Sequence, residues 1–192
     1  MIHETAIVEE GAVIGEKTNI WHFAHVRSQA KLGKHCNVGK DVYIDTNVVI
    51  GDNCKIQNFA SLYHGLTVDD DVFIGPHVCF TNDLYPRAKV WNEEKVEKTV
   101  VKKGVSIGAN STIVAGVTIG NHAMIGAGSV VTTDVIDHGL VYGNPAKLKG
   151  FVCECSTKMQ KKNEKGNNVV FECPSCSKRI EVEKEIVDEV KL

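Results

Sequence analysis

Large apolar residues occupy every sixth position from Ile2 to Phe80: Ile2, Val8, Ile14, Ile20, Val26, Leu32, Val38, Ile44, Ile50, Ile56, Leu62, Val68, Ile74 and Phe80. The series resumes at Val101 and continues through Ile107, Ile113, Ile119, Ile125 and Val131. A helix repeats every ~3.6 residues and a strand every ~2, so neither alone gives this period. Two residues before most of these positions stands a small or compact side chain: Ala6, Ala12, Thr18, Ala24, Ala30, Cys36, Val42, Val48, Cys54 and Ala60. Glycine often follows the large residue, as at Gly15, Gly33, Gly51, Gly75, Gly108, Gly120 and Gly126. The pattern predicts short strands joined by corners, with three six-residue units closing one triangular coil. The large residue fills the prism, the small one sits near the corner, and glycine is expected to supply a positive φ there. The fold class is all-β, a parallel β-helix whose coils stack about 4.8 Å apart. Residues 18 apart should then lie one above another, so Cys36 falls under Cys54.

The chain has 192 residues and a formal net charge of -2, which gives no support for a nucleic-acid partner. No apolar run is long enough for a membrane span, and no basic-then-hydrophobic leader opens the chain. The expected compartment is the cytoplasm. Between Phe80 and Val101 the spacing is 21 residues, which six does not divide. The intervening segment, residues 81–100, carries Tyr85, Pro86, Trp91 and many charges. A long excursion with two large aromatics suggests the wall of a cleft, reaching towards a neighbouring subunit.

Particular motifs narrow the comparison. They are Ile20-Trp21-His22-Phe23, Lys55-Ile56-Gln57-Asn58, Gly75-Pro76-His77-Val78-Cys79-Phe80-Thr81-Asn82 with Pro86-Arg87, Val101-Lys102-Lys103-Gly104, Ile107-Gly108-Ala109-Asn110 and the closing turn Gly143-Asn144-Pro145-Ala146. Over residues 1–150 the chain resembles the hexapeptide-repeat acetyltransferases of nucleotide-linked 3-amino sugars. The resemblance implies a left-handed coil, a homotrimer, acetyl-CoA as co-substrate and a role in bacterial surface polysaccharide synthesis. It is closest to the branch acting on UDP-2-acetamido-3-amino-2,3-dideoxy-D-glucuronate. Departures at residues 62–65 and 37–42 keep open the dTDP-linked 3-amino-3,6-dideoxyhexose branch. A γ-carbonic-anhydrase-like metalloenzyme and a pure scaffold are further alternatives on the same fold, although the chain lacks the former's metal pattern.

The chemistry needs a neutral amine, an acetyl thioester and a donor for the developing oxyanion. The resemblance implies that Asn82 contacts the amine region. The 18-residue rule puts His64 beneath Asn82 at the mouth of the loop, where it is a candidate base or orienter. Asn58 and Gln57 are candidate substrate contacts on another face, and Tyr85 and Arg87 in the loop complete the set. Arg87 or Arg27 suits a sugar carboxylate by bidentate contact, with Arg27 expected as a solvated residue. Coenzyme A requires positive charge and a groove. The candidates are Lys102, Lys103 and Lys147, with the backbone amides of Gly108, Ala109 and Gly126 for the pantetheine. His77 should stack near Phe59 and Asp41, and His122 has no predicted partner.

From Phe151 the composition changes, so residues 151–192 read as a separate tail. Cys153-x-Cys155 and Cys173-x-x-Cys176 form two thiol pairs that suit a closed, structural zinc site, with Cys153-x-Cys155 one residue tighter than the usual knuckle. The tail is expected as small strands, with Ile180, Val182 and Ile186 alternating with glutamates. Its lysines 158, 161, 162 and 165 raise a nucleic-acid finger as the alternative, which the acidic terminus opposes.

Overall fold

The computed structural model of the chain describes residues 1–90 and 92–189. Trp91, counted above with the loop aromatics, lies outside the described residues. Each six-residue unit is a two-residue strand and a corner. Residues 18 apart pair in parallel, Ile7 beside His25 and Ser61 beside Cys79. The strands stack into three sheets of seven, six and eight strands, the last ending in an antiparallel hairpin. The inward residues Ile20, Val26, Ile44, Ile56, Leu62, Ile74 and Ile107 are 0% exposed. Burying each contributes roughly 2 kcal/mol. Polar members of the small position serve the corners. Thr18 Oγ1 donates to the Gly33 carbonyl at 2.7 Å, and the Cys36 and Cys54 thiols donate to the carbonyls of Gly51 and Asp69 at 3.1 Å each. Ile2 departs from the pattern at 50% exposed, because it belongs to the terminal coil and has no coil beneath it.

The glycine expectation is corrected. The left-handed residue is the third after the large one, not the first. Lys17, Phe23, Gln29, His35, Asp41, Asn47, Asn53, Phe59, Asp71 and His77 hold φ of 54–63° there. Glycine directly after the large residue meets a different demand. A Cβ on Gly33 would lie 2.6 Å from the Gly51 carbonyl carbon, and one on Gly75 would lie 2.7 Å from the Ala109 nitrogen. Glycine is there so that successive coils can approach.

The excursion resolves cleanly. Strand Leu66–Val68 pairs with Thr99–Val101, which leaves fifteen residues more than a coil requires. Thr99 and Val100 are strand residues, so the loop is 81–98, shorter than the expected 81–100. It is not free of secondary structure. A 3₁₀ turn spans Glu93–Lys95, and the Asn92 side chain caps it by accepting from the Glu94 amide at 3.1 Å.

Above the last coil, strand Gly139–Gly143 turns at Asn144-Pro145 and returns as Ala146–Phe151. The tail follows as an antiparallel sheet of Gln160–Lys165, Asn168–Glu172 and Arg179–Glu183. Phe151, Met159, Val169, Phe171 and Val187 form its own core. Leu148 packs against both cores. Ile186 is in a short helix, Lys184–Glu189, and not in a strand, because alternation fails where Ile186 and Val187 stand together. Three of the four lysines named above are paired, Lys161 with Glu164, Lys162 with Glu172 and Lys165 with Glu181, and Lys184 also meets Glu164, while Lys158 has no carboxylate partner among the described residues. Among the described residues no helix is long and apolar enough to cross a membrane.

Candidate functional site

One edge of the prism, joining the first sheet to the second, is built differently from the other two. After its inward residues stand Glu9, Arg27, Asp45, Tyr63 and Thr81, none of them glycine. The backbone stacks as closely here as elsewhere, the amides of Glu9, Arg27 and Asp45 donating to the next coil at 2.9 Å each, and the side chains form a connected network. Arg27 is solvated in part, its side chain 40% exposed, but it is also committed to two carboxylates. Its Nε lies 3.4 Å from Glu9 and its Nη1 3.2 Å from Asp45. Asp45 is 9% exposed and accepts from the Tyr43 hydroxyl at 3.1 Å and from the backbone amides of Thr46 and His64 at 2.8 and 3.3 Å. Glu9 also meets His25 Nε2 at 2.8 Å. The Ser28 amide above all, with His25 and Arg27, holds the Glu9 carboxyl below its ordinary range.

His64 sits at the upper end of this network, on the same corner as Asn82, as the 18-residue register requires. Its Nδ1 is 2.9 Å from the Thr46 carbonyl. A carbonyl only accepts, so Nδ1 carries the proton and Nε2 faces the loop. Nε2 meets the Glu93 carboxylate at 2.8 Å, a partner that sequence reasoning missed. Asn82 does not bond His64. Its backbone carbonyl accepts from the Glu97 amide at 3.0 Å, and it lines a cavity of about 370 Å³ with Arg87, Asn92, Lys95 and Val96. Tyr85, a candidate wall residue, is 81% exposed and outside that cavity.

Gln57 and Asn58 lie on a second edge, with Trp21, His22 and Lys40, in a shallow cavity of about 240 Å³. The Asn58 side-chain oxygen is committed to the Lys40 amide at 2.9 Å. His77 stacks on Phe59 with ring centroids 4.8 Å apart, as expected. His122 stacks on His138 at 5.3 Å.

The coenzyme candidates divide. The amides of Gly108 and Gly126 donate to Ile125 and Val141 of the next coil at 2.8 Å each, so they are unavailable to a pantetheine and that expectation is corrected. The Ala109 carbonyl accepts from the Gly128 amide at 2.8 Å. Lys103 is 3.4 Å from Asp71, and Lys102 flanks it on the same corner. Lys147 lines an apolar cavity of about 280 Å³ with Val131, Thr133, Leu148 and Ile186.

In the tail the two thiol pairs converge, with all four sulfurs within 4.8 Å of one another. Cys153 to Cys176 is 3.4 Å, Cys155 to Cys173 is 3.5 Å and Cys155 to Cys176 is 3.7 Å. A tetrahedron with zinc–sulfur bonds of about 2.3 Å has edges of about 3.8 Å, so the donor set fits zinc. The tight first spacing is accommodated because both knuckles close on a left-handed serine, Ser156 at φ 65° and Ser177 at φ 60°. Burial pushes the Cys153 thiol up to about 12, while the Thr157 hydroxyl and the Cys173 thiol bring Cys155 down to about 6.

Comparison with known proteins agrees with this architecture. Residues 47–82 and 98–133 match the family "Bacterial transferase hexapeptide (six repeats)", and residues 29–60 match the hexapeptide repeat of succinyl-transferase. The dTDP-3-amino-3,6-dideoxy-alpha-D-galactopyranose 3-N-acetyltransferase of Aneurinibacillus thermoaerophilus is 45% identical over 159 residues, covering 83% of this chain and 82% of that protein. The bifunctional protein GlmU of Acinetobacter baumannii is 35% identical over 74% of this chain, which spans only 32% of its length. A hexapeptide-repeat acetyltransferase of Vibrio cholerae, solved with acetyl coenzyme A, superposes with a TM-score of 0.54 at 27% identity over 73% of this chain and 70% of that one. The GDP-perosamine N-acetyltransferase of Caulobacter crescentus shares the fold, with a TM-score of 0.54 at 23% identity over 78% of this chain and 55% of that one. The six-residue repeat, the interrupted coil and this close relative together place the chain in the family of hexapeptide-repeat nucleotide-sugar N-acetyltransferases.

Proposed function

We propose that the protein transfers the acetyl group of acetyl-CoA to the 3-amino group of a dTDP-linked 3-amino-3,6-dideoxyhexose. The observation that carries this is the 45% identity, over most of both chains, to an enzyme named for that reaction. It favours the dTDP-linked hexose over the UDP-linked glucuronate suggested by the sequence motifs, which stays the second reading. The amine nitrogen attacks the thioester carbonyl, the C–N bond forms and the C–S bond breaks. The proton shed by nitrogen passes to His64 Nε2, which becomes an acceptor once the substrate displaces Glu93 and the Nε2 proton of that contact leaves with the carboxylate, and from there to the departing thiolate. Asn82 orients the amine across the same corner. Proton transfer of this kind is worth about 10²–10⁴ in rate. Asp45 acts behind His64 by pinning the Thr46 turn whose carbonyl selects the tautomer.

The proposal includes three further features. The exposed Phe23 and Phe59, which share one edge of the prism, support a homotrimer of packed prisms. The four converging thiols support one structural zinc held by Cys153, Cys155, Cys173 and Cys176, with residues 151–192 as its domain. Seven cysteines without a disulfide support a reducing, cytoplasmic setting. The deciding assay offers dTDP-3-amino-3,6-dideoxygalactose and UDP-2-acetamido-3-amino-glucuronate separately with acetyl-CoA and follows thiol release. Turnover is expected with the dTDP sugar. Turnover confined to the UDP sugar reverses the choice, and none with either overturns the function.

A further inference from the structure

We propose that the cavity beneath the insertion is a diphosphate site, with Arg87 and Lys95 as the two arms of a clamp. This rests on the nucleotide-sugar reading above and names what part of the substrate the loop holds. The cavity of about 370 Å³ is lined by both cations and by the amides Asn82 and Asn92. Neither cation has an acidic partner among the described residues. Arg87 Nη1 reaches only the Pro86 carbonyl, at 3.5 Å. The acid that lines the cavity, Asp83, already accepts the Tyr85 amide at 2.7 Å through Oδ1. Asn92 is committed to capping the 3₁₀ turn, which fixes Lys95 one turn on. Two cations outside any ion pair, facing one concave space with a single carboxylate, Asp83, leave net positive charge there and suit a ligand with two negative charges on adjacent phosphates better than a single sugar carboxylate. The dTDP-linked hexose has no carboxylate for Arg87 to meet. The shared Asn82 then ties the clamp to the reacting amine: the diphosphate lies under the loop and the sugar extends towards His64.

Both the nucleotide sugar and coenzyme A carry a diphosphate, so binding must separate them. Calorimetry with dTDP, inorganic pyrophosphate and coenzyme A would be run on the wild type, Arg87→Gln, Lys95→Gln and, as a charge control on an exposed corner, Lys17→Gln. We expect each clamp variant to bind dTDP and pyrophosphate about tenfold more weakly, with coenzyme A unchanged and the Lys17 variant like the wild type. Loss confined to coenzyme A keeps the clamp and assigns it to the coenzyme's diphosphate. Wild-type affinity of both clamp variants for all three ligands overturns the clamp while leaving the acetyltransferase reading intact. Equal weakening by Lys17→Gln also overturns it, as unspecific charge. A wild type that binds neither dTDP nor coenzyme A overturns the clamp and the functional reading together.

Discussion

At the scale of single residues, one edge of the prism carries the side chains of the proposed chemistry. Asn82→Ala should lower kcat about 10²-fold with the circular dichroism spectrum unchanged. His64→Ala separates two routes for the proton. A loss of about 10²–10³ that flattens the kcat–pH profile supports the imidazole as base, whereas near-normal turnover across pH assigns proton removal to water or the coenzyme sulfur. Asp45→Asn tests the residue behind it. The side chain is 12% exposed and serves Arg27, Tyr43 and two backbone amides, so its loss should cost about 2 kcal/mol in urea unfolding. If Asp45 positions His64, kcat falls while KM for acetyl-CoA holds. A purely structural role would move only the unfolding midpoint. The shared corner of His64 and Asn82 was legible because register converts sequence distance into height. The same register stacks Glu9, Arg27 and Asp45, but it does not say which way side chains turn, so their ion pairs appear only in the folded coils. Glu93 was hidden in the excursion, where register stops.

At the scale of the elements, the period of six announces strand, corner and inward face without help from propensity. What it cannot tell is why a corner contains glycine. Two explanations, positive φ and backbone proximity, predict the same residue, and only the coil spacing separates them. The separation can be measured. Gly51→Ala puts a methyl group 2.7 Å from the Asp69 carbonyl carbon and should destabilise by about 1–3 kcal/mol. Asn53→Gly relieves a left-handed residue at φ 59° and should change stability by less than about 1 kcal/mol. The opposite ranking in thermal unfolding would restore the φ explanation.

At the scale of the whole molecule, the coils and the tail have separate cores joined through Leu148. Chelation should therefore release about one zinc per chain, loosen the tail to proteolysis and leave the coils folded and trimeric. Elemental analysis of protein purified without chelator, together with light scattering before and after treatment, checks each part. Zinc-free protein with an ordered tail would remove the metal, and a stable monomer would remove the trimer. The glycine-free edge has a consequence of its own. On the edges carrying Gly33, Gly51 and Gly75, the backbones nearly touch, so a new side chain disturbs two coils at once. On the edge of Glu9, Arg27, Asp45, Tyr63 and Thr81, side chains stand where glycine stands elsewhere and bond one another, and there the chain takes in fifteen extra residues without losing register. Two edges leave little room for a new side chain where glycine stands and the third leaves more, so under the proposed function a lineage would exchange one acceptor sugar for another along a single line of the molecule, with the bonded side chains there, Asp45 among them, setting what each exchange costs.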